Sequence, residues 1–320
     1  MIIKTYGGYI KDFEKLKKSA SGGLATAMSE EIILNNGIVY GVAYTCDFKS
    51  AEYRRIDKIS GLDILRGSKY IKPTLKLPIL ELLSQDLACE KKVLFIGLPC
   101  DINVVKNYVA KHGIDSENLL CVDLICHGPT SNKVADEFIT RLERKYKSKV
   151  KSFNVRYKNP FWTPPYLFVE FENGKVLKEV FYQTDYGTAF FLMVEEKCYK
   201  CKFKGENYKS DITIGDYWGF NESDDGYNKY GSSVAFVHTQ KGQGFITSLN
   251  NFNLYEADTE KALKGNQRYL TPTALTAERE IFKKRFIKKG LAYAVSKHIG
   301  RKAKIKRIIK KLYYHLLKKR

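Results

Sequence analysis

The stretch KKVLFIGLPCDINVVKNYVAKHGIDSENLLCVDLICHG, residues 91–128, decides the fold class. Its opening, 91–100, carries an apolar run broken by Gly97 and Pro99. A short continuous run of this kind predicts a strand buried on both faces. DINVVKNYVAKHG (101–113) follows with helical spacing and stops at Gly113. LLCVDLICHG (119–128) is a second buried strand with a sharp Gly-Pro exit. Strand, helix, strand is the unit of an α/β sheet, and such sheets bind ligands beyond the C-terminal ends of their strands. Cys100 and Cys126 end these two runs.

The alternation extends upstream. SASGGLATAMSEEIILNN (19–36) predicts a helix with Ser21 as N-cap, Leu24, Ala27, Met28 and Ile32 on one face, and Gly37 as its stop. IVYGVAY (38–44) predicts a buried strand, and residues 74–88 an amphipathic helix. Downstream, SNKVADEFITRLERKYK (131–147) predicts another helix. The character then changes. YLFVEFENGKVLKEVFY (166–182) is two alternating runs around Asn173-Gly174, the signature of a β-hairpin. SDITIGDYW (210–218) and SSVAFVHT (232–239) read as short strands, and 276–289, 291–299 and 301–319 as basic helices punctuated by Gly290 and Gly300. The expected fold class is α+β: a mixed α/β first half with buried strands, a hairpin-containing second half, and C-terminal basic amphipathic helices. The expected domains are 1–150, 151–275 and a helical tail, 276–320.

Composition bounds the function. With 320 residues, 44% hydrophobic and 28% charged, the chain is neither disordered, collagen-like nor a coiled coil. There are 55 Lys and Arg against 35 Asp and Glu, a net charge of +20. Residues 281–320 hold 16 of the basic residues and no acidic one, which leaves 39 against 35 elsewhere. The excess is a tail on a nearly balanced body, so nucleic acid is not an expected partner. No run of about 18 apolar residues predicts a membrane span, and the N-terminus lacks the apolar segment of a secretory signal. Seven cysteines, an odd number, argue against a disulfide framework and for a reducing cytoplasm. In 301–319, Ile305, Ile308, Ile309, Leu312, Tyr313 and Leu316 recur at helical spacing among lysines and arginines. That pattern suits a helix lying in an anionic membrane interface. The expectation is peripheral attachment to the inner face of the cell membrane through 281–320; the alternative is an apolar stripe packed on the core.

Three motifs carry chemistry. Cys198 and Cys201 form C-x2-C beside Lys197, Lys200 and Lys202. Two thiolates on one tight turn chelate a metal or cluster, and basic neighbours favour thiolate. Cys100 and Cys126 would complete a four-thiolate site, suited to a 4Fe-4S cluster or to tetrahedral zinc, in which case the chain would be a non-redox scaffold or transferase partner. Ser19, Ser21, Gly22 and Gly23 stand at a helix start, where unpaired N–H groups and the helix dipole favour an anion. Arg66, Gly67, Ser68, Lys69 and Tyr70 make a polar cluster, and N-P-F-W-T-P-P-Y (159–166) reads as a substrate groove or a rigid connector.

Five segments resemble the beta subunits of coenzyme F420 hydrogenases and dehydrogenases, and cover roughly residues 15–220: S-A-S-G-G-L-A-T-A (19–27), R-G-S-K-Y (66–70), V-L-F-I-G-L-P-C (93–100), D-L-I-C-H-G (123–128) and the run from Cys198 to Gly219. The resemblance implies an FAD beside a 4Fe-4S cluster in an oxidoreductase core. The cluster ligands would be Cys100, Cys126, Cys198 and Cys201, leaving Cys46, Cys89 and Cys121 structural. Ser19, Ser21, Gly22 and Gly23 would take the FAD pyrophosphate. Arg66, Gly67, Ser68, Lys69 and Tyr70 would face the flavin, with charge tuning its reduced form. Residues 1–150 then form the flavin-binding half and 151–275 carry the cluster motif. His127, Asp216 and Lys69 are the candidate catalytic residues. Many relatives begin with a ferredoxin module that this sequence lacks, which implies a separate electron donor such as a ferredoxin. Shorter relatives of this kind resemble a branch associated with bacterial surface polysaccharides, which implies a sugar intermediate as the organic substrate.

Overall fold

The computed structural model describes residues 1–299, so the helix expected over 301–319 lies outside the described residues. Eleven strands form among them: β1 Lys4–Ile10, β2 Ile38–Tyr44, β3 Ala51–Ile56, β4 Val93–Gly97, β5 Leu119–Leu124, β6 Val150–Tyr157, β7 Tyr166–Phe171, β8 Val176–Val180, β9 Ile212–Asp216, β10 Ser233–Val237 and β11 Phe252–Glu256. Eight of them make one sheet in the order β11-β1-β10-β9-β5-β4-β2-β3, and β6-β7-β8 make a second. The middle of the large sheet, β2-β4-β5-β9, is parallel. Both flanks are antiparallel. The α+β class holds, and strands from either side of residue 150 share the large sheet.

Alternation along β5 explains why the parallel strands are apolar throughout. Leu120 and Val122 pack with Leu24, Met28 and Ile32 of the Leu24–Leu34 helix on one face. Leu119 and Cys121 pack with Leu83, Ile102 and Val105 on the other. The second sheet buries Phe153, Val155, Leu167 and Phe171 against Phe138, Tyr186, Phe282 and Phe286. Phe282 and Phe286 belong to the helical stretch Ala277–His298, which breaks at Lys289 and Gly290, as the sequence expects. In this described part of the basic tail an apolar side packs on the core, through Phe282, Phe286, Leu291 and Val295.

Three local expectations are corrected. The helix after the glycines begins at Leu24, and its N-cap is Gly23 at φ +83°, with no side-chain cap. Ser21 does not cap it, because its hydroxyl donates to the Ser232 carbonyl at 2.7 Å. That helix ends with Asn36 in the left-handed region, not Gly37. Cys100 lies in the first turn of the Pro99–Lys111 helix rather than at a strand end.

Candidate functional site

A cavity of about 690 Å³ opens at the C-terminal ends of the parallel strands. This is within the range of small-molecule and cofactor clefts, about 300–1,000 Å³. The segments 19–26, 65–71, 96–98, 124–129 and 214–216 contribute to its wall.

The glycine-rich loop meets this cavity through its amides, because its carbonyls are held elsewhere. Ile10 N–H takes the Gly22 carbonyl at 2.7 Å, and Ala27 N–H takes that of Gly23 at 3.0 Å. Arg156 Nη2 donates to the Ala20 carbonyl at 3.1 Å. Lys158 Nζ donates to Leu16 and Ser21 carbonyls at 2.6 and 2.7 Å. The first N–H groups of a helix have no intrahelical acceptor. Here Gly23, Leu24, Ala25 and Thr26 line the cavity, so an uncapped positive helix end faces it. Gly22 is required by packing instead: a Cβ would meet the Gly8 carbonyl and the Ser233 amide at 2.4 Å each. Ser19 lines the cavity, but its hydroxyl donates to the Lys15 carbonyl.

The second predicted cluster, Arg66–Tyr70, lines the opposite part of the same cavity. Lys69 is buried, and its ammonium donates to the carbonyls of Leu65, Arg66 and Gly67 at 2.8, 2.9 and 3.1 Å. Burial pushes its pKa down to about 7, while the three carbonyls favour the charged form. The Lys69 ammonium thus holds its own loop. Arg66 pairs with Asp63 and with Glu30, leaving a buried Nε without a hydrogen-bond partner. Tyr70 stacks on Phe190 at 4.1 Å between centroids.

Arg156 and Lys158 are the site residues that sequence reasoning missed. Arg156 is 4% exposed and joins the two predicted clusters: it donates to Tyr70 Oη at 3.2 Å and pairs with Asp216 Oδ2 at 2.8 Å. Its Nε is buried and unpartnered. Opposing terms act on it, with burial working against the guanidinium charge and Asp216 favouring it; the balance lies above the ordinary arginine value. A register shift in β6 between Asn154 and Tyr157 accompanies this arrangement. Such a bulge re-aims side chains and is invisible in simple alternation. Asp216, a candidate catalytic residue, is therefore the ion-pair partner of Arg156 at the cavity wall.

The four motif cysteines come from three segments and fall within electrostatic reach of one another. The Cys198 thiol is pushed up to about 12 by burial and then by Cys126, Cys100 and Cys201. The Cys100 thiol rises to about 11, through burial and Asp101, and Cys126 rises through burial. The expectation that basic neighbours would favour thiolate is overridden by desolvation. Lys72 lies 3.9 Å from Cys100 Sγ, and Lys204 donates to the Cys126 carbonyl at 2.5 Å. Gly128, at φ +107°, donates its N–H to Cys126 Sγ at 3.3 Å, and a Cβ there would sit 3.1 Å from Cys198 Cβ. Among the described residues, no three His, Cys, Asp or Glu side chains converge closely enough to hold a metal ion. Of the remaining cysteines, Cys121 is buried, and Cys46 and Cys89 are exposed.

The cysteine loop and the cavity are physically continuous. Thr130 N–H donates to the Tyr70 carbonyl and Lys72 N–H to the Thr130 carbonyl. Cys126, His127 and Gly128 line the cavity. His127 packs on Phe190 at 4.9 Å, and its Nδ1 lies 3.3 Å from the Gly128 carbonyl. Burial lowers its pKa to about 4, so it is neutral at pH 7 and does not titrate there. Asp211 accepts from Cys121 N–H and the Thr239 hydroxyl and is structural. Asp123 is fully buried, with no hydrogen bond of good geometry to either carboxylate oxygen; burial raises its pKa, and Thr213 and Ser210 nearby act against that rise. Trp162 and Trp218 pack together at 4.7 Å beside Arg156, so the aromatic-proline stretch reaches the site.

The comparisons with known proteins agree with this geometry. The chain resembles a solved chain from the xenon-derivatised F420-reducing NiFe hydrogenase complex of Methanosarcina barkeri, at 16% identity and a TM-score of 0.56. The match covers 89% of this chain and 93% of that one, and shows a shared fold. No curated protein sequence matches. The family model for the C terminus of the coenzyme F420 hydrogenase/dehydrogenase beta subunit matches residues 90–262, a span that includes all four motif cysteines, Arg156, Lys158 and Asp216. The span exceeds half of the chain, and the protein belongs to the coenzyme F420 hydrogenase/dehydrogenase beta subunit family.

Proposed function

We propose that this protein is an oxidoreductase that works through FAD and a 4Fe-4S cluster. One observation carries the reading: four thiols from three segments lie within electrostatic reach of one another, and one of them, Cys126, lines the cavity that receives an uncapped helix start. When bound, FAD would supply hydride exchange with an organic partner and single-electron exchange with an iron–sulfur centre.

The residues present supply donor chemistry suited to both groups. For FAD, the amides of Gly23–Thr26 would hold pyrophosphate, and the unpartnered Nε groups of Arg66 and Arg156 remain available to an anionic ligand. Lys69 and Lys158 keep the loop carbonyls turned away from it. For the cluster, Cys100, Cys126, Cys198 and Cys201 supply soft donors, and the Gly128 N–H supplies the sulfur hydrogen bond that tunes such centres. Lys204 would offset its negative charge, whereas Lys72, beside Cys100, is ion-paired with Asp101 at 2.5 Å. His127, neutral and packed against Phe190, keeps one side of the cysteine loop apolar.

The setting we propose is surface-polysaccharide assembly, with a sugar intermediate as organic substrate and the basic tail holding the protein at the inner membrane face. No described helix is long and apolar enough to cross a membrane. The test is Cys198→Ser in anaerobically purified protein. Loss of iron–sulfur absorbance supports the reading; a variant that keeps the wild-type spectrum overturns it.

A further inference from the structure

The body of this protein is nearly charge-balanced, yet residues 197–209 carry five lysines and one glutamate. Four of the five, Lys197, Lys200, Lys202 and Lys209, are exposed, while Lys204 is buried. Among the described residues no ion pair joins any of the four to a carboxylate. The adjacent Glu196 is itself neutralised by Lys283 at 2.8 Å. Unpaired like charges concentrated within 13 residues repel one another, so their concentration here suits a binding partner better than it suits stability.

This turn is the one that carries Cys198 and Cys201, both partly exposed. Charge on it therefore lies where an electron would enter. We infer that Lys197, Lys200, Lys202 and Lys209 form the docking face for a small acidic electron-carrier protein. The inference rests on reading the four cysteines as an electron-transfer centre. Complementary charge steers encounter and orients the carrier over the cysteine turn, and weak electron-transfer complexes need only small interfaces. A lipid surface fits this face less well. Within residues 192–217 no large hydrophobic side chain is exposed, so this segment itself offers none for insertion into a membrane interface.

The test compares wild type with the triple variant Lys200→Glu/Lys202→Glu/Lys209→Glu. A redox-silent, gallium-substituted acidic ferredoxin reports binding by fluorescence anisotropy, and the native ferredoxin reports electron entry by stopped flow. The face predicts roughly tenfold weaker binding and slower oxidation of reduced ferredoxin by the variant. It also predicts wild-type binding that weakens from about 50 mM to about 500 mM salt. Reduction by dithionite should change less than about twofold, and Lys175→Glu on the distant hairpin should change nothing. Equal ferredoxin binding by the triple variant, or salt-independent binding by wild type, overturns the docking face. So does charge-dependent binding to phosphatidylserine vesicles without ferredoxin binding. If the chain carries no iron yet binds the gallium probe in this charge-dependent way, the docking face stands and the electron-centre reading fails. If it carries iron and shows no such binding, the reverse holds.

Discussion

The loop before the Leu24–Leu34 helix and the turn carrying Cys198 and Cys201 are built in opposite ways. At the loop, buried cations bond the backbone: Lys158 ends on the Leu16 and Ser21 carbonyls and Arg156 on that of Ala20. The loop is held in shape by its own bonds. At the cysteine turn, burial and the neighbouring sulfurs push thiols up, and the sulfurs meet one N–H group, long contacts to Asp101 and the Phe203 carbonyl, and a few cations. A positively charged inorganic core would relieve that unfavourable state. On the proposed reading, the difference separates a preorganised site from one that a bound cluster would complete.

The largest effect that would break this comparison is on local order. Chelating iron from the native protein should open the Lys197–Lys209 segment to trypsin, while the 15–24 segment stays protected. Equal cleavage of both would contradict the contrast. Next in size is Arg156→Ala, which leaves Asp216 without its cation and should cost about 3–5 kcal/mol in urea denaturation. Arg156→Lys should recover less than half of that, because a point charge cannot serve Tyr70, the Ala20 carbonyl and Asp216 together. Lys158→Met removes donors from two buried carbonyls and should cost about 1–3 kcal/mol. Flavin retention should fall in the same samples if the loop is the cradle, and would be unchanged if it is not.

A subtler test concerns Asp123. Burial raises its pKa from 3.8 to about 8. The folded chain then keeps a proton that the unfolded chain has released, so stability falls as pH rises between those values. Asp123→Asn should flatten that slope. The two proteins should differ most in melting temperature near pH 8 and converge below pH 4; parallel curves would rule the effect out. The smallest expected effect is at the tail: replacing Lys302, Lys306, Lys310 and Lys311 by Gln should weaken flotation with anionic vesicles and leave melting temperature unchanged.

Much of the fold was legible because local pattern and tertiary role agree. The runs at 38–44, 93–97 and 119–124 are apolar because the parallel strands are buried on both faces. Asn173-Gly174 marked the hairpin, and Gly290 marked the helix break. β1 was not legible: KTYGGYI has two glycines and weak alternation, and only its remote partners β10 and β11 make it a strand. Ser21 misled because a serine before an apolar run looks like a cap, whereas its acceptor, Ser232, lies 211 residues away. The pair Cys198 and Cys201 was legible as a C-x2-C motif. Arg156 and Lys158 were not, since their inward aim accompanies a shift in strand register.

The most direct test of the central claim is an anaerobic absorption spectrum of the purified protein, with iron, zinc and flavin measured per chain. A brown-yellow protein carrying flavin and four irons would agree with a preorganised cradle beside a cluster-completed cysteine site. A colourless protein carrying one zinc and no flavin would contradict it.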